Sequence, residues 1–318
     1  MYKPSISVVV PVYNSQGMLD ELTARLSTVL AQLSPRFELI LVNDGSRDQS
    51  WQVIELLAGE YSCVRGINLM RNYGQHNALL CGIRAAQHEV VVTIDDDLQN
   101  PPEEISKLLD KLGEGFDVVY GTPQRQRHGL WRDLASTVTK LTLQGAMGAQ
   151  TARNVSAFRA FRTQVSEAFS SYQSPFVSID VLLTWGTTRF AAVSVRHDPR
   201  QVGQSNYTFR KLVTHALNMM TGFSTWPLQL ASLIGFGFTL FGIGVFAYVI
   251  GRYLVLGYSI AGFPFLASVI AIFSGAQLFA LGIMGEYLAR MHVRSIGRPA
   301  CVVRDTVGKI ESEDGSVC

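Results

Sequence analysis

Charged side chains are scarce in this chain of 318 residues. Asp, Glu, Lys and Arg make up 16% of the sequence and apolar residues make up 47%, whereas an average soluble protein is about 25% charged. A deficit of this size is typical of a protein with a membrane part. The 27 basic and 25 acidic side chains leave a net charge of +2, which excludes a nucleic-acid binder that works through bulk positive charge.

Cysteine is scarce as well. Cys63, Cys81, Cys301 and Cys318 form no CxxC pair and have no histidine at metal-ligand spacing, so the sequence predicts neither a zinc site nor a disulfide framework, and a reducing cytosolic setting fits best. The first apolar run, which ends at Pro11, is shorter than the apolar region of a secretory signal. We therefore expect the amino-terminal part of the chain to stay in the cytoplasm.

Before residue 208 the sequence alternates between β-branched apolar runs and segments with apolar residues at helical spacing. This alternation predicts an α/β domain in which a mostly parallel sheet is covered by helices on both faces. The predicted strands are 6–14, 37–46, 64–72, 89–97 and 117–122, and the predicted helices between them are 18–33, 50–61 and 75–87.

Three of the predicted strands run out into polar clusters. In a parallel sheet these strand ends share one edge, and ligands bind there. Carboxylate oxygens bind hard divalent cations and accept hydrogen bonds from sugar hydroxyls, so the edge suits a nucleotide whose diphosphate carries Mg²⁺ or Mn²⁺. The clusters are Pro11, Tyr13 and Asn14, then Asn43 and Asp44, then Asp95, Asp96, Asp97 and Gln99.

Long uncharged stretches follow residue 212. Residues 228–250 and 260–285 each exceed the roughly 20 residues needed to cross a bilayer core, and they predict a membrane hairpin of two transmembrane helices. The loop between them has Arg252 as its only charged residue, whereas several basic residues flank the two outer ends. The positive-inside rule therefore predicts that both ends lie in the cytoplasm. The flanking residues are Arg210, Lys211, Arg290, Arg294 and Arg298.

These patterns divide the chain into four predicted parts. Residues 1–207 form a cytosolic domain, 208–227 an amphipathic helix at the membrane interface, 228–290 the two transmembrane helices and 291–318 a cytosolic tail. The prediction of an interface helix depends on apolar residues that alternate with basic ones and on Trp226. A connector packed on the first domain is an equally good interpretation of that segment.

Two segments carry a family resemblance, RNYGQHNALLCG at 71–82 and DDDLQNPPEEI at 95–105. With the two C-terminal spans they resemble the membrane-attached family 2 glycosyltransferases of the GT-A fold, which load a sugar onto polyprenyl phosphate, and within this group the aminoarabinose transferase type. The resemblance covers almost the whole chain. It implies a Rossmann-like GT-A domain, Mg²⁺ or Mn²⁺ as cofactor, a nucleotide-sugar donor that we expect to be a UDP-sugar, and undecaprenyl phosphate as acceptor. It also implies a homo-oligomer in the bacterial inner membrane.

The resemblance assigns roles to individual residues. It implies a catalytic role for Asp97, Arg159 and Arg200, and metal ligation by Asp97, Gln99 and Asp95. The implied nucleotide-binding residues are Pro11, Tyr13, Asn14, Asp44, Asp95 and Asp96. The implied contacts of the diphosphate and the lipid acceptor are Arg159, Arg200, Ser205 and Tyr207.

The chain departs from the family pattern at four positions. Ser15 stands where the family commonly has glutamate, Asp96 where it often has a small residue, Asn206 where many members have lysine, and Ala157 where the bactoprenol glucosyltransferases have an acid. The loss at Ala157 fits a lipid-phosphate acceptor, because a phosphate monoester with a second pKa of about 6 is already an anionic nucleophile at neutral pH. A sugar hydroxyl acceptor would need a base.

The expected activity is inverting, metal-dependent transfer of a sugar from a nucleotide donor to undecaprenyl phosphate at the cytoplasmic face of the membrane. The product would serve cell-envelope glycan modification, including lipopolysaccharide biosynthesis. Two alternatives remain open. One is a polysaccharide synthase, although QRQRHGLW at 124–131 does not match the QxxRW motif of those enzymes. The other is a non-catalytic membrane scaffold with the same fold.

Overall fold

The computed structural model describes residues 3–123, 155–198, 226–256 and 262–308. These residues fall into two compact units. The first contains the described residues up to 198 together with 297–308, and the second contains 226–256 and 262–296. The first unit holds a β-sheet with its covering helices, and the second holds a pair of long helices.

The first unit is built on one mixed sheet of eight strands. In chain order they are β1 (Ile6–Val12), β2 (Phe37–Asn43), β3 (Val64–Leu69), β4 (Val90–Thr93), β5 (Val118–Pro123), β6 (Arg159–Arg162), β7 (Phe190–Val195) and β8 (Val303–Val307). Their spatial order is β7-β5-β6-β4-β1-β2-β3-β8. β1 pairs in parallel with β2 and β4, and β2 pairs in parallel with β3. The predicted mostly parallel α/β sheet is confirmed.

Helices connect the parallel strands. Those of the first unit are α1 (Leu19–Leu33), α2 (Ser50–Glu60), α3 (Gln75–Ala85), α4 (Ile105–Gly113) and α5 (Ile179–Gly186). The second unit contains α6 (Trp226–Leu256) and α7 (Phe263–Ser295). α1, α2 and α3 lie where the helical spacing of apolar residues predicted helices, because that spacing reflects one face that packs on the sheet.

The core lies between the sheet and these helices. Every residue of β1, β2 and β4 is buried, as expected for strands covered on both faces. α1 contributes Leu19, Leu22, Leu26 and Leu30, which share one helix face and are all fully buried. Each such leucine stabilises the fold by roughly 1.5–3 kcal/mol relative to an exposed one.

The sequence did not predict β6, β7 or β8. β6 is four residues long and reads RAFR, with charged residues at both ends, and it runs antiparallel to β4 and β5. β8 comes from the segment predicted as a tail, and it pairs antiparallel with β3. Short strands of this kind depend on their neighbours in the sheet more than on their own periodicity. The boundaries of the four predicted parts stay predictions.

The cysteines need one correction. Cys63 is disulfide-bonded, whereas Cys81 and Cys301 are free thiols. The sequence predicted no disulfide framework and did not indicate this single bond, because cysteine spacing along the chain does not show which thiols the fold brings together.

The two long helices have the character predicted for a membrane hairpin. Leu228–Val255 and Ile272–His292 are long and apolar enough to cross a membrane, with mean hydropathies of 2.2 and 1.3, and neither stretch is buried within the protein. The helices touch each other where the rings of Phe238 and Phe273 meet edge to face at 5.7 Å. Exposed apolar side chains over this length suit lipid tails.

The packing of α3 on the sheet yields a stability prediction. A methyl group at Gly82 would overlap Val9 and lie 2.9 Å from Cγ2 of Val42. Gly82→Ala should therefore lower the free energy of unfolding of the first unit by about 1–3 kcal/mol through overpacking.

The matched control is Gly59→Ala. Gly59 lies in α2 with open space around the position of a Cβ, so alanine there should be neutral or stabilise by up to about 1 kcal/mol through helix propensity. Thermal unfolding of the full chain in detergent measures both variants. Equal stability of the two would contradict the tight contact between α3 and the sheet.

Candidate active site

The strand order marks one place in the sheet for a ligand. From β1 the chain continues to β2 and β3 on one side, and it then crosses to β4 on the other side of β1. The loops that leave two such parallel neighbours diverge, and ligands bind between them at the carboxyl ends of the strands. The loop after β1 and the loop after β4 therefore border the candidate active site.

Asp96 joins these two loops. Its Oδ2 accepts a hydrogen bond from the Ser15 hydroxyl at 2.5 Å and another from the Tyr13 N–H at 3.2 Å. Burial raises the pKa of the Asp96 carboxyl and the neighbouring Asp97 adds to this, while the two hydrogen bonds act in the opposite direction. Two departures from the family pattern, Ser15 and Asp96, are thus in direct contact.

Asp44 holds the backbone in front of α3. Its Oδ1 accepts the Tyr73 N–H at 2.7 Å and its Oδ2 accepts the Gly74 N–H at 2.8 Å. Burial raises the pKa of the Asp44 carboxyl, and the two N–H groups partly offset that rise. The predicted contact of Asp44 with the nucleotide stays a prediction.

The remaining predicted nucleotide contacts belong to the end of β1. Asn14 links the loops after β1 and β2: its N–H donates to Ser46 Oγ at 3.0 Å and its Oδ1 accepts the Arg47 N–H at 2.8 Å. Its φ of 55° lies in the left-handed region, which asparagine tolerates better than most residues. Pro11 is buried opposite Val42, whereas Tyr13 is 44% exposed.

The outer two carboxylates of the DDD segment have different partners. Asp95 Oδ1 accepts a hydrogen bond from Gln75 Nε2 at 2.6 Å, and Asp97 Oδ1 accepts the N–H of Gln99 at 3.2 Å. Leu98, which follows Asp97, has a φ of 57° and is buried in the core. The segment therefore turns sharply just after the acids.

The residues fit a divalent cation that is shared with a diphosphate. Asp95 and Asp97 offer carboxylate oxygens and Gln99 an amide oxygen, which are the donors that Mg²⁺ and Mn²⁺ prefer. Within the part of the chain that the structure describes, no three His, Cys, Asp or Glu side chains form a metal-binding group. A cation held by one or two carboxylates and completed by phosphate oxygens does not require such a group.

Arg159 lies in the interior, with 1% of its surface exposed. Its guanidinium forms an ion pair with Asp180, and its Nε donates to Thr93 Oγ1 at 3.0 Å. The Tyr120 hydroxyl also donates to Asp180, at 3.2 Å, and burial raises the Tyr120 pKa well above its usual value. Thr93 in turn donates to the carbonyl oxygen of Ala157 at 2.6 Å. The predicted diphosphate contact of Arg159 stays a prediction.

Part of the predicted acceptor site lies outside the described residues. This applies to Arg200, Ser205 and Tyr207, and to the departure at Asn206. Most of the predicted interface helix, 208–227, lies outside them too. The last described residue before this segment is Asp198, whose N–H donates to the carbonyl oxygen of Gln99 at 2.8 Å.

Sequence reasoning missed Gln75 and Asp180, which contact predicted site residues. Gln75 directly follows Gly74, whose positive φ of 96° marks the start of α3. A glycine before a helical pattern indicates such a turn from the sequence alone. Asp180 carries no such signal, because its partner Arg159 is 21 positions away in the chain.

Comparison with known proteins gives the family. The sequence model described as Glycosyl transferase family 2 matches residues 7–169. An undecaprenyl-phosphate 4-deoxy-4-formamido-L-arabinose transferase from Shewanella sediminis is 36% identical over 305 residues, which cover 94% of this chain and 92% of that protein. A protein of the same name from Pseudomonas paraeruginosa is 34% identical over 305 residues, covering 95% and 90%.

Solved structures resemble the fold. Glucosyl-3-phosphoglycerate synthase from Mycobacterium tuberculosis, in complex with Mn²⁺, uridine diphosphate and phosphoglyceric acid, matches with a TM-score of 0.51 and 21% identity. The match covers 69% of this chain and 76% of that one. The complex of the same enzyme with phosphoglyceric acid gives a TM-score of 0.51 at 20% identity, covering 69% and 80%. The GT-A type of Rossmann-like sheet is thereby confirmed.

The buried ion pair under the site yields a prediction. Asp180→Ala would leave the Arg159 guanidinium in the interior without its carboxylate, and breaking a buried pair in this way typically costs about 3–5 kcal/mol of stability. We expect a loss of that size in thermal unfolding of the full chain in detergent.

Glu114→Ala serves as its control, because Glu114 pairs with Lys111 at 2.5 Å on the surface, where their side chains are 56% and 32% exposed. That change should cost less than about 1 kcal/mol. If Asp180→Ala cost no more than the surface variant, the Arg159–Asp180 pair would not stabilise the interior.

Proposed function

The chain belongs to glycosyltransferase family 2, and from this premise we propose that it transfers a sugar from a UDP-sugar to undecaprenyl phosphate with inversion at the anomeric carbon. The reaction takes place at the cytoplasmic face of the bacterial inner membrane. The product is a polyprenyl-phosphate sugar for cell-envelope glycan modification.

One observation carries this proposal. A carboxylate-rich edge lies at the loops after β1 and β4, and the same chain continues into helices that are long and apolar enough to cross a membrane. The acidic edge suits a nucleotide diphosphate with its cation, and the apolar helices suit an enzyme whose acceptor stays in lipid.

The relatives support the choice of acceptor and suggest the first donor to test. Proteins 34% and 36% identical over nearly the whole chain are named for undecaprenyl phosphate and for 4-deoxy-4-formamido-L-arabinose. The solved complex of the same fold contains Mn²⁺ and uridine diphosphate, which agrees with a UDP-sugar and a divalent cation here. UDP-linked 4-deoxy-4-formamido-L-arabinose is therefore the first candidate donor.

The residues of the acidic edge would bind the donor. Asp97, Gln99 and Asp95 would hold the cation, and Tyr13, Asn14, Asp44 and the backbone at Pro11 would hold the nucleoside. A bound Mg²⁺ or Mn²⁺ supplies positive charge that stabilises the departing diphosphate. Gln75 orients Asp95 through the hydrogen bond at 2.6 Å.

The acceptor phosphate needs no strong base. It is already anionic at neutral pH, so the chain has only to bring two anions together and align the attack opposite the leaving group. Arg200, Ser205 and Tyr207 are the proposed contacts of the phosphates. Arg159 remains a proposed diphosphate contact, and reaching one would require it to give up part of its pairing with Asp180.

The proposed arrangement in the membrane keeps the family 2 domain and both termini in the cytoplasm. The basis is the charge asymmetry around the two spans. A homo-oligomer formed through the paired helices is proposed as the functional assembly. The glycines of both helices would allow close contact in lipid.

The decisive experiment uses the purified full chain with Mn²⁺, undecaprenyl phosphate and a panel of radiolabelled UDP-sugars. Label that moves into the lipid extract as a single-sugar product supports the proposal. Long labelled polymer would favour a polysaccharide synthase instead, and no label from any donor would favour a scaffold.

Asp97→Asn tests the metal assignment. Removing one carboxylate charge from the cation site should lower transfer by roughly 10²-fold or more, the size expected for loss of one electrostatic stabiliser of a transition state. Asp110→Asn makes the same chemical change at an exposed position of α4 and should leave transfer unchanged. Wild-type turnover in the Asp97 variant, with both proteins present in the membrane in equal amounts, would contradict the assignment.

A further inference from the structure

The hydrogen bond between Ser15 and Asp96 connects the loops after β1 and β4, the two strands between which the strand order reverses. The two residues are 81 positions apart in the chain, and their side-chain oxygens lie 2.5 Å from each other. Ser15 belongs to the loop after β1, and Asp96 belongs to the loop after β4. Their contact therefore joins the two loops that border the candidate site, where the connections that leave β1 and β4 diverge.

The Ser15 side of this contact is firmly anchored. The Ser15 N–H donates to Ser50 Oγ at 3.0 Å, and Ser50 Oγ donates to Asp48 Oδ1 at 2.6 Å. The next residue, Gln16, donates its N–H to Asp48 Oδ2 at 3.2 Å. The loop after β1 is thus bonded to the start of α2 and to the residue two positions before it, so the hydroxyl that Asp96 contacts belongs to an anchored segment.

The other side of the contact contains the proposed metal ligands. Asp96 sits between Asp95 and Asp97, and its carboxylate is directed to the β1 loop while Asp95 accepts from Gln75. One position beyond Asp97, Leu98 is 3% exposed and is packed in the core. This short segment is therefore held at two points. The Asp96 side chain is bonded to Ser15, and the Leu98 side chain is packed in the core.

We infer that Asp96 is a positioning residue that, through its hydrogen bond with Ser15, fixes the loop after β4 and sets the geometry of Asp95 and Asp97. The inference deepens the proposed function, on which it rests. It separates the three consecutive acids into two that face the cation and nucleotide and one that braces the loop. A hydroxyl donating to a carboxylate is suited to this, because charge-assisted hydrogen bonds are short and strong.

The contact permits an exchange of its two partners. Asp96→Ser shortens one side chain by about as much as Ser15→Asp lengthens the other, so the double variant keeps the reach of the pair while reversing donor and acceptor. Each single variant destroys the contact in its own way. Asp96→Ser removes the carboxylate that Ser15 and Tyr13 need, and Ser15→Asp sets two carboxylates against each other.

The first measurement is thermal unfolding of the full chain in detergent, without metal or nucleotide. Each single variant should lower the unfolding midpoint by roughly 2–6 °C, and the double variant should recover at least half of the summed loss. Ser106→Ala is the control, because that hydroxyl donates to the Glu103 carbonyl at 3.1 Å on the surface of α4. It should leave the midpoint unchanged within about 1 °C.

The second measurement is the concentration of Mn²⁺ at which UDP stabilises the protein half-maximally. Each single variant should raise it about tenfold, whereas the exchange should return it to within about threefold of wild type. Ser106→Ala should bind Mn²⁺ and UDP as wild type does. Ser15 is not among the residues proposed to bind the cation or the nucleotide, so a change in metal binding at Ser15→Asp that the exchange reverses is not expected of a merely structural contact.

Two results would overturn the inference. One is a double variant whose changes in unfolding midpoint and in half-maximal Mn²⁺ concentration equal the sum of the changes in the two single variants, because the residues would then not be coupled. The other is singles that unfold earlier yet bind Mn²⁺ and UDP as wild type does, because the contact would then be structural only. Failure of the proposed function would look different: the wild-type chain would transfer no sugar to undecaprenyl phosphate, while the coupling between Ser15 and Asp96 could still be measured.

Discussion

The parallel pairing of β1 with β4 is the constraint on which the site depends. β1 pairs with β2 on one side and with β4 on the other, so the chain must leave β1 and β4 in opposite directions. The loops at their carboxyl ends then separate, and polar groups can be exposed there without interrupting a strand. Three carboxylates begin two residues after the end of β4, and each accepts hydrogen bonds from a different donor. The three acids of this edge are therefore not equivalent to one another.

One buried charge of the first unit, that of Arg159, is paired with a carboxylate. Arg159 is almost completely buried beside Asp180, Tyr120 and Thr93, and its position on β6 next to β4 brings this network close to the acids. A buried ion pair is a weak source of net stability, because desolvation offsets most of the attraction. Its value lies in geometry, since Thr93 is the last residue of β4 and connects Arg159 to the backbone of Ala157.

The two units suit one reaction at a membrane surface. A soluble donor carries its charge on a diphosphate, while the proposed acceptor carries a phosphate on a chain that stays in lipid. An acidic edge that suits a divalent cation and a pair of apolar helices in the same chain meet both needs of this proposed reaction. Because the acceptor is already anionic, the absence of an acid at Ala157 costs the proposed reaction little. The chemistry then consists mostly of alignment and electrostatic stabilisation.

The sequence by itself determined the α/β class, the positions of the first five strands, the apolar helices and the acids at the end of β4, because each leaves a periodic or compositional pattern within a short window. Its motifs also sufficed to identify the family. Only the tertiary structure decided that β8 joins the sheet beside β3, that Arg159 pairs with Asp180 and that Asp96 binds Ser15. Those partners are far apart in the chain, so their contacts depend on how strands are ordered in space, which no local pattern records.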